Sequence, residues 1–150
     1  MTMARCPAPE TRRQGGAGLV EVMVALVVLA VGLLGIAGLQ LASLQNNHSA
    51  ALRSQAITLC YDALDRMRAN RDAANVGDYT TDFADAAPAG TTIAEQDLQE
   101  WKLMLAALPS GAGAINSAAV GGRLLFTVTV QWDDSRGAEA AEQFTVVSEL

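Results

Sequence analysis

Eighteen consecutive apolar or glycine residues run from Val22 to Leu39, VMVALVVLAVGLLGIAGL, and a single acid, Glu21, stands directly before them. A helix of that length rises about 27 Å, close to the ~30 Å hydrocarbon thickness of a bilayer. Leu19, Val20 and the residues to Leu44 extend the span comfortably. The hydrophobic region of a secretory signal is usually ~7–15 residues and closes on a small-residue cleavage box. This run is longer and merges into a helical pattern without such a box. Glu21 is the anomaly, because a charged side chain costs roughly 2.5–3.5 kcal/mol at mid-bilayer and less near the interface. A helix that served only as an anchor would gain nothing from it, so the acid is expected to have a partner.

Charge sets the orientation and excludes one class of function. Arg5, Arg12 and Arg13 precede the span against one acid, Glu10, which places the N-terminus in the cytoplasm and the remainder across the membrane. The net charge of -6 argues against a nucleic-acid partner, since neutralising phosphates takes clustered Lys and Arg. Of the 150 residues, roughly 100 follow the leader and span, enough for one modest core. The two cysteines, Cys6 and Cys60, fall on opposite sides of the span and cannot pair within one chain.

The helical pattern continues past the span. Leu41, Leu44, Leu52, Ala56, Leu59, Ala63 and Met67 recur mostly at steps of three and four among polar residues, so one long helix is expected over about Gly18 to Asn70. Gly32, Gly35 and Gly38 each cost about 1 kcal/mol inside it. They mark either close helix–helix approach or a segment that melts on leaving the bilayer. Arg71 to Gly90 reads as a loop. Thr92 and Glu95 have capping-box spacing, and Leu98, Trp101, Leu105 and Leu108 form one apolar face ended by Pro109 and Gly111. Gly111 to Gly122 reads as small and flexible, with a third short strand placed near Ile115 or Val120. Leu124 to Trp132 alternates as a half-buried strand, Asp133 to Glu142 turns, and Gln143 to Leu150 is a second strand. Two strands alone are marginal, so they must pack on the outer half of the long helix.

Gly16-Ala17-Gly18-Leu19-Val20-Glu21-Val22 resembles the processing site of type IV prepilins. In that family a peptidase cuts after a glycine on the cytoplasmic side, the fifth mature residue is a glutamate, and the new N-terminal amine is methylated. The resemblance implies a cut between Gly16 and Ala17, N-methylation of Ala17, and Glu21 as the fifth mature residue. The family more often has Phe where Ala17 stands and Ser or Thr where Gly18 stands, so the register of Glu21 decides between Gly15 and Gly16. From Gly15 to Ala74, through VEVMVALVVLAVGLLGIAGLQLASLQNNHSAALRSQA and YDALDRMRANRDAA, the chain resembles the PilV minor pilins, the type IV pilus modification proteins. The segment Val128-Thr129-Val130-Gln131-Trp132-Asp133 fits them more loosely. The I-type minor pseudopilins of type II secretion share the N-terminal motif, and the stretch Gln40 to Asn70 favours PilV.

The physical reading agrees with that resemblance. In a stack of parallel helices, the free amine of Ala17 on a neighbour is a positive group that can neutralise Glu21, and charge pairing is strong in low dielectric. A tolerated interfacial acid is the plainer alternative. Cys60 is expected to pack as a small hydrophobe ahead of acting as a reactive thiol. His48 is the only histidine and lacks nearby acids or cysteine, a poor basis for a metal site. Asp78, Asp82 and Asp85 lack the spacing of a calcium loop. Asn47-His48-Ser49 matches a glycosylation sequon but sits in mid-helix. No catalytic residue, metal site or cofactor is assigned, and the chain is not expected to be an enzyme.

The expected fold is α+β and pilin-like, a long N-terminal transmembrane and amphipathic helix packed on a small antiparallel sheet with one extra helix. Residues 1–16 would be the leader, 17–44 the membrane half of the helix, and 45–150 a periplasmic domain. The resemblance implies a minor pilin, first in the inner membrane and then in a type IV pilus near its tip, taking part in assembly initiation and supporting motility and adhesion. Its implied partners are other minor pilins, the major pilin, the prepilin peptidase of which it is a substrate, and the inner-membrane assembly platform. A single-pass anchored binding domain, which would keep its leader, is the alternative from another class.

Overall fold

The computed structural model describes residues 18–150 apart from Arg136 and Glu139. Helix α1 spans Leu19–Ala69, followed by α2 (Arg71–Val76), α3 (Ile93–Leu105), β1 (Ala112–Val120), β2 (Arg123–Trp132) and β3 (Glu142–Glu149). The chain divides into two compact units, Met1–Ser43 and Leu44–Leu150. In the first, the described residues are Gly18 and the apolar part of α1, every one of them exposed.

The second unit holds the whole core. The strands form one antiparallel sheet in the order β1-β2-β3. Period two sends Phe126, Val128, Val130 and Trp132 of β2 to one face, where they are buried against α1 and α3. From α1 the buried stripe is Leu52, Ala56, Leu59, Cys60, Ala63, Leu64 and Met67, and from α3 it is Ala94, Leu98, Trp101 and Leu105. The expected stripe therefore starts later than its periodicity implied. Leu41 and Leu44 are exposed, because the packed surface begins only at Leu52.

Local signals account for several boundaries. The Thr92 hydroxyl accepts from the Glu95 amide at 3.3 Å, and the Glu95 carboxylate accepts from the Thr92 amide at 3.0 Å, a complete capping box opening α3. Helix α3 stops at Leu105, a turn before the expected end, yet Leu108 remains buried beyond it. β1 and β2 meet in a two-residue turn, where Gly121 and Gly122 take φ of 60° and 80°, as a type I′ hairpin requires.

Two segments differ from the sequence reading. Residues 71–90 are not all loop, because Arg71–Val76 makes the short helix α2 and Thr81 forms an isolated bridge with Ile115. Gly111–Gly122 is not mainly flexible, since nine of its residues form β1 in register with all of β2 from Arg123 to Gln131. Its small residues are used for packing. A Cβ on Gly113 would lie 2.4 Å from the Trp101 ring, so only glycine lets β1 pass so close to that indole.

Candidate assembly site

In the first unit α1 carries an acid on an otherwise apolar surface. Glu21 lies in the first turn, its amide bonded to the Gly18 carbonyl at 2.9 Å, and the partial positive charge of a helix N-terminus favours a carboxylate there. Beyond it, Val22, Met23, Val24 and the large apolar residues through Leu44 are exposed. By length and composition this is a helix able to cross a membrane. Gly32, Gly35 and Gly38 are helical and open, for a Cβ at any of them would meet nothing within 4 Å. No contact among the described residues thus explains three residues that weaken the helix. Gly16 and Ala17, the expected cleavage pair, lie outside the described residues, as does Cys6.

The second unit contains a polar network that sequence reasoning missed. Arg66 of α1 donates to Asp62 at 2.9 Å, and to Asp97 at 3.1 Å and Glu100 at 2.9 Å on α3. Partial burial works against its charge, but hydrogen bonds with Glu100, Asp62 and Asp97 outweigh that and hold the guanidinium protonated. The Tyr79 hydroxyl donates to Asp97 and accepts from the Asn70 amide at 3.2 Å. Burial, reinforced by Asp97, pushes the Tyr79 hydroxyl up to about 12. The segment after α2 joins through Tyr79 and Asp97, and one arginine ties α1 to α3. Its ligands are 4, 31 and 34 residues away, and only the first of those spacings is visible as a helical pair.

The remaining candidates resolve into structural roles or none. Cys60 is fully buried, its thiol 3.8 Å from the Phe144 carbonyl, and burial pushes it up to about 11, unfavourable for a reactive thiolate. Asp82 and Asp85 shape their own turn, with the Asp82 amide donating to the Asp85 carboxylate at 2.6 Å. Lys102 donates to the carbonyls of Asp82 at 3.0 Å and Asp85 at 2.5 Å, and burial lowers its pKa despite those nearby carboxylates. His48 is exposed, and Ser49 of the sequon donates to Asp134. Among the described residues no three His, Cys, Asp or Glu side chains are grouped to hold a metal.

Comparison with known families bears on both units. Residues 11–37 match the prokaryotic N-terminal methylation motif, and residues 38–98 match a family described as type IV pilin Tt1218. No curated protein and no solved structure matches the chain. The two adjoining matches support a pilin, made as a prepilin for peptidase processing and N-methylation, with an apolar helix for membrane anchoring and pilus assembly. Pilins are structural proteins, and β1, β2 and β3 lie beyond both matches.

Proposed function

We propose that the chain is a minor pilin of a type IV pilus. It is held in the inner membrane with its N-terminus in the cytoplasm and residues 45–150 in the periplasm, and is then incorporated near the pilus tip. There it takes part in initiating assembly with other minor pilins and the major pilin on the inner-membrane platform, and so supports motility and adhesion. The observation that carries this reading is Glu21, a lone carboxylate in the first turn of α1 at the start of its exposed apolar part, inside a matched methylation motif.

The mechanism follows from where that charge sits. After cleavage between Gly16 and Ala17, the N-methylated amine of Ala17 lies at one end of the span. In a parallel stack the amine of one subunit meets Glu21 of the next. Each charge is expensive in hydrocarbon alone and compensated when the subunits are in register, so the pair selects one axial stagger. Gly32, Gly35 and Gly38, which pack against none of the other described residues, permit close helix approach or local melting in the filament.

The I-type pseudopilin of type II secretion would use the same first 40 residues. The match of residues 38–98 to a type IV pilin favours the pilus, and co-purification with minor pilins instead of secretion components separates the two. Glu21→Leu tests the mechanism. The variant should insert in the membrane as well as the wild type, because an apolar side chain removes the desolvation cost, while its incorporation into sheared pili falls well below wild type. Wild-type incorporation would show that the acid has no part in assembly.

A further inference from the structure

Lys102 keeps one segment off the open edge of β1. Thr81 pairs with Ile115 there, its N–H donating at 3.0 Å and its C=O accepting at 2.8 Å. Two residues on, antiparallel pairing would set Phe83 against Gly113. Instead the Asp82 and Asp85 carbonyls accept from the Lys102 ammonium, and the Asp82 amide donates to the Asp85 carboxylate at 2.6 Å. The Phe83 amide donates to the Asp82 side chain at 2.8 Å. A cavity of about 230 Å³ remains beside them, and Phe83, Ala87, Lys102, Leu103, Leu105 and Gly113 are in its wall.

Gly113 has no side chain, so what it gives that wall is backbone. Ile115 turns its N–H and C=O away from β2 to meet Thr81. These groups alternate sides with period two along an antiparallel strand, so those of Gly113 also point away from β2. They have no hydrogen bond among the described residues, although Gly113 is buried. Buried backbone groups are nearly always paired, and leaving them without a partner is costly. On an extended residue the N–H and C=O stand side by side and exchange bonds with one partner. That partner must offer an acceptor and a donor on a single edge.

A linear amide is trans, with its N–H and C=O on opposite sides. A ring holds the amide cis and presents both groups on one edge. Thr81 already fills the Ile115 side, so nothing strand-like runs on in that direction. We propose that the cavity binds a compact ring compound with a cis-amide edge, such as a lactam, a diketopiperazine or a pyrimidinedione. Its N–H donates to the Gly113 carbonyl, and its C=O accepts from the Gly113 N–H. Its ring lies among Phe83, Leu103 and Leu105, since small-molecule sites combine apolar walls with a few placed polar groups. This binding goes beyond the pilin reading and does not depend on it.

Titration of the isotope-labelled full chain in detergent micelles, followed by its amide resonances, tests this. Glycine anhydride, a diketopiperazine with two cis amides, should move the Gly113 amide proton downfield until it saturates. Sarcosine anhydride has the same ring and carbonyls but no N–H, and should bind about tenfold more weakly for one lost hydrogen bond. N-methylacetamide, with the same groups arranged trans, should give no saturable shift. Lys102→Met releases the Asp82 and Asp85 carbonyls and should abolish binding by letting the segment leave its place. Ala87→Trp adds bulk to the cavity wall at an exposed position and should abolish it too. It decides the matter if the Lys102 variant loses its dispersed spectrum. No saturable shift at Gly113 with glycine anhydride would leave water as the partner of those groups and overturn the proposal. Equal affinity for the two anhydrides, or binding unchanged in Ala87→Trp, would overturn it as well.

Discussion

The indole N–H of Trp101 donates to the backbone carbonyl of Leu59 at 2.9 Å, joining residues 42 apart in sequence inside the core. The ring is 1 % exposed and lies against Gly113 of β1, so one side chain fixes α3 to both α1 and the sheet.

Trp101→Ala should therefore destabilise the fragment from Leu44 to Leu150, which contains the whole core, by roughly 3–5 kcal/mol. That is a large share of the ~5–15 kcal/mol typical of a domain. Urea unfolding of the fragment measures it. A midpoint unchanged from wild type would mean the helix–sheet packing described above is wrong.

Trp132, at the end of β2, provides the contrast. It is as buried as Trp101, but its Nε1 has no hydrogen-bond partner among the described residues. An unsatisfied buried donor costs about 1–3 kcal/mol, whereas a satisfied one contributes about 1 kcal/mol. Phenylalanine removes a similar volume at both sites, so Trp132→Phe should melt at a clearly higher temperature than Trp101→Phe. The reverse order would show that the Trp132 indole is hydrogen-bonded.

Tyr79 gives the fold an alkaline limit. Its hydroxyl is held up to about 12 against an ordinary value of 10, so the folded state binds the proton more tightly than the unfolded one. The resulting stabilisation is complete below pH 10 and is lost as pH rises from 10 to 12. Tyr79→Phe should be about 1 kcal/mol less stable at pH 7, through lost bonds to Asp97 and Asn70. Its stability curve should then converge on the wild-type curve above pH 10. Cys60, held up to about 11 from 9, adds a decline from pH 9 common to both proteins. Curves that stay parallel to pH 12 would remove Tyr79 from this role.

Elements built on local chemistry were legible in the sequence. The Thr92–Glu95 box, the alternation of β2 and the long apolar helix each rest on residues within one or two turns of each other. β1 was not legible as a full strand. Ala112-Gly113-Ala114-Ile115-Asn116-Ser117-Ala118-Ala119-Val120 has little β-propensity, and it is a strand because β2 pairs with it throughout. The six residues of α2 were hidden in a stretch rich in Asp, Ala and Thr. Leu41 and Leu44 kept the helical period yet are exposed, since periodicity shows a face and not what covers it. The meeting of Arg66, Tyr79 and Asp97 depends on the tertiary fold and leaves no local pattern. The place of Glu21 in the first turn of an apolar helix was legible, because it is a local property of the sequence.

The mature N-terminus is the most direct test of processing and of the role of Glu21. Mass spectrometry of the protein taken from sheared pili should find a chain beginning at N-methylated Ala17, with Gly16→Asp remaining as a full-length membrane precursor. Pili containing a chain that still begins at Met1 would contradict the processing, the register of Glu21 and the assembly role built on it.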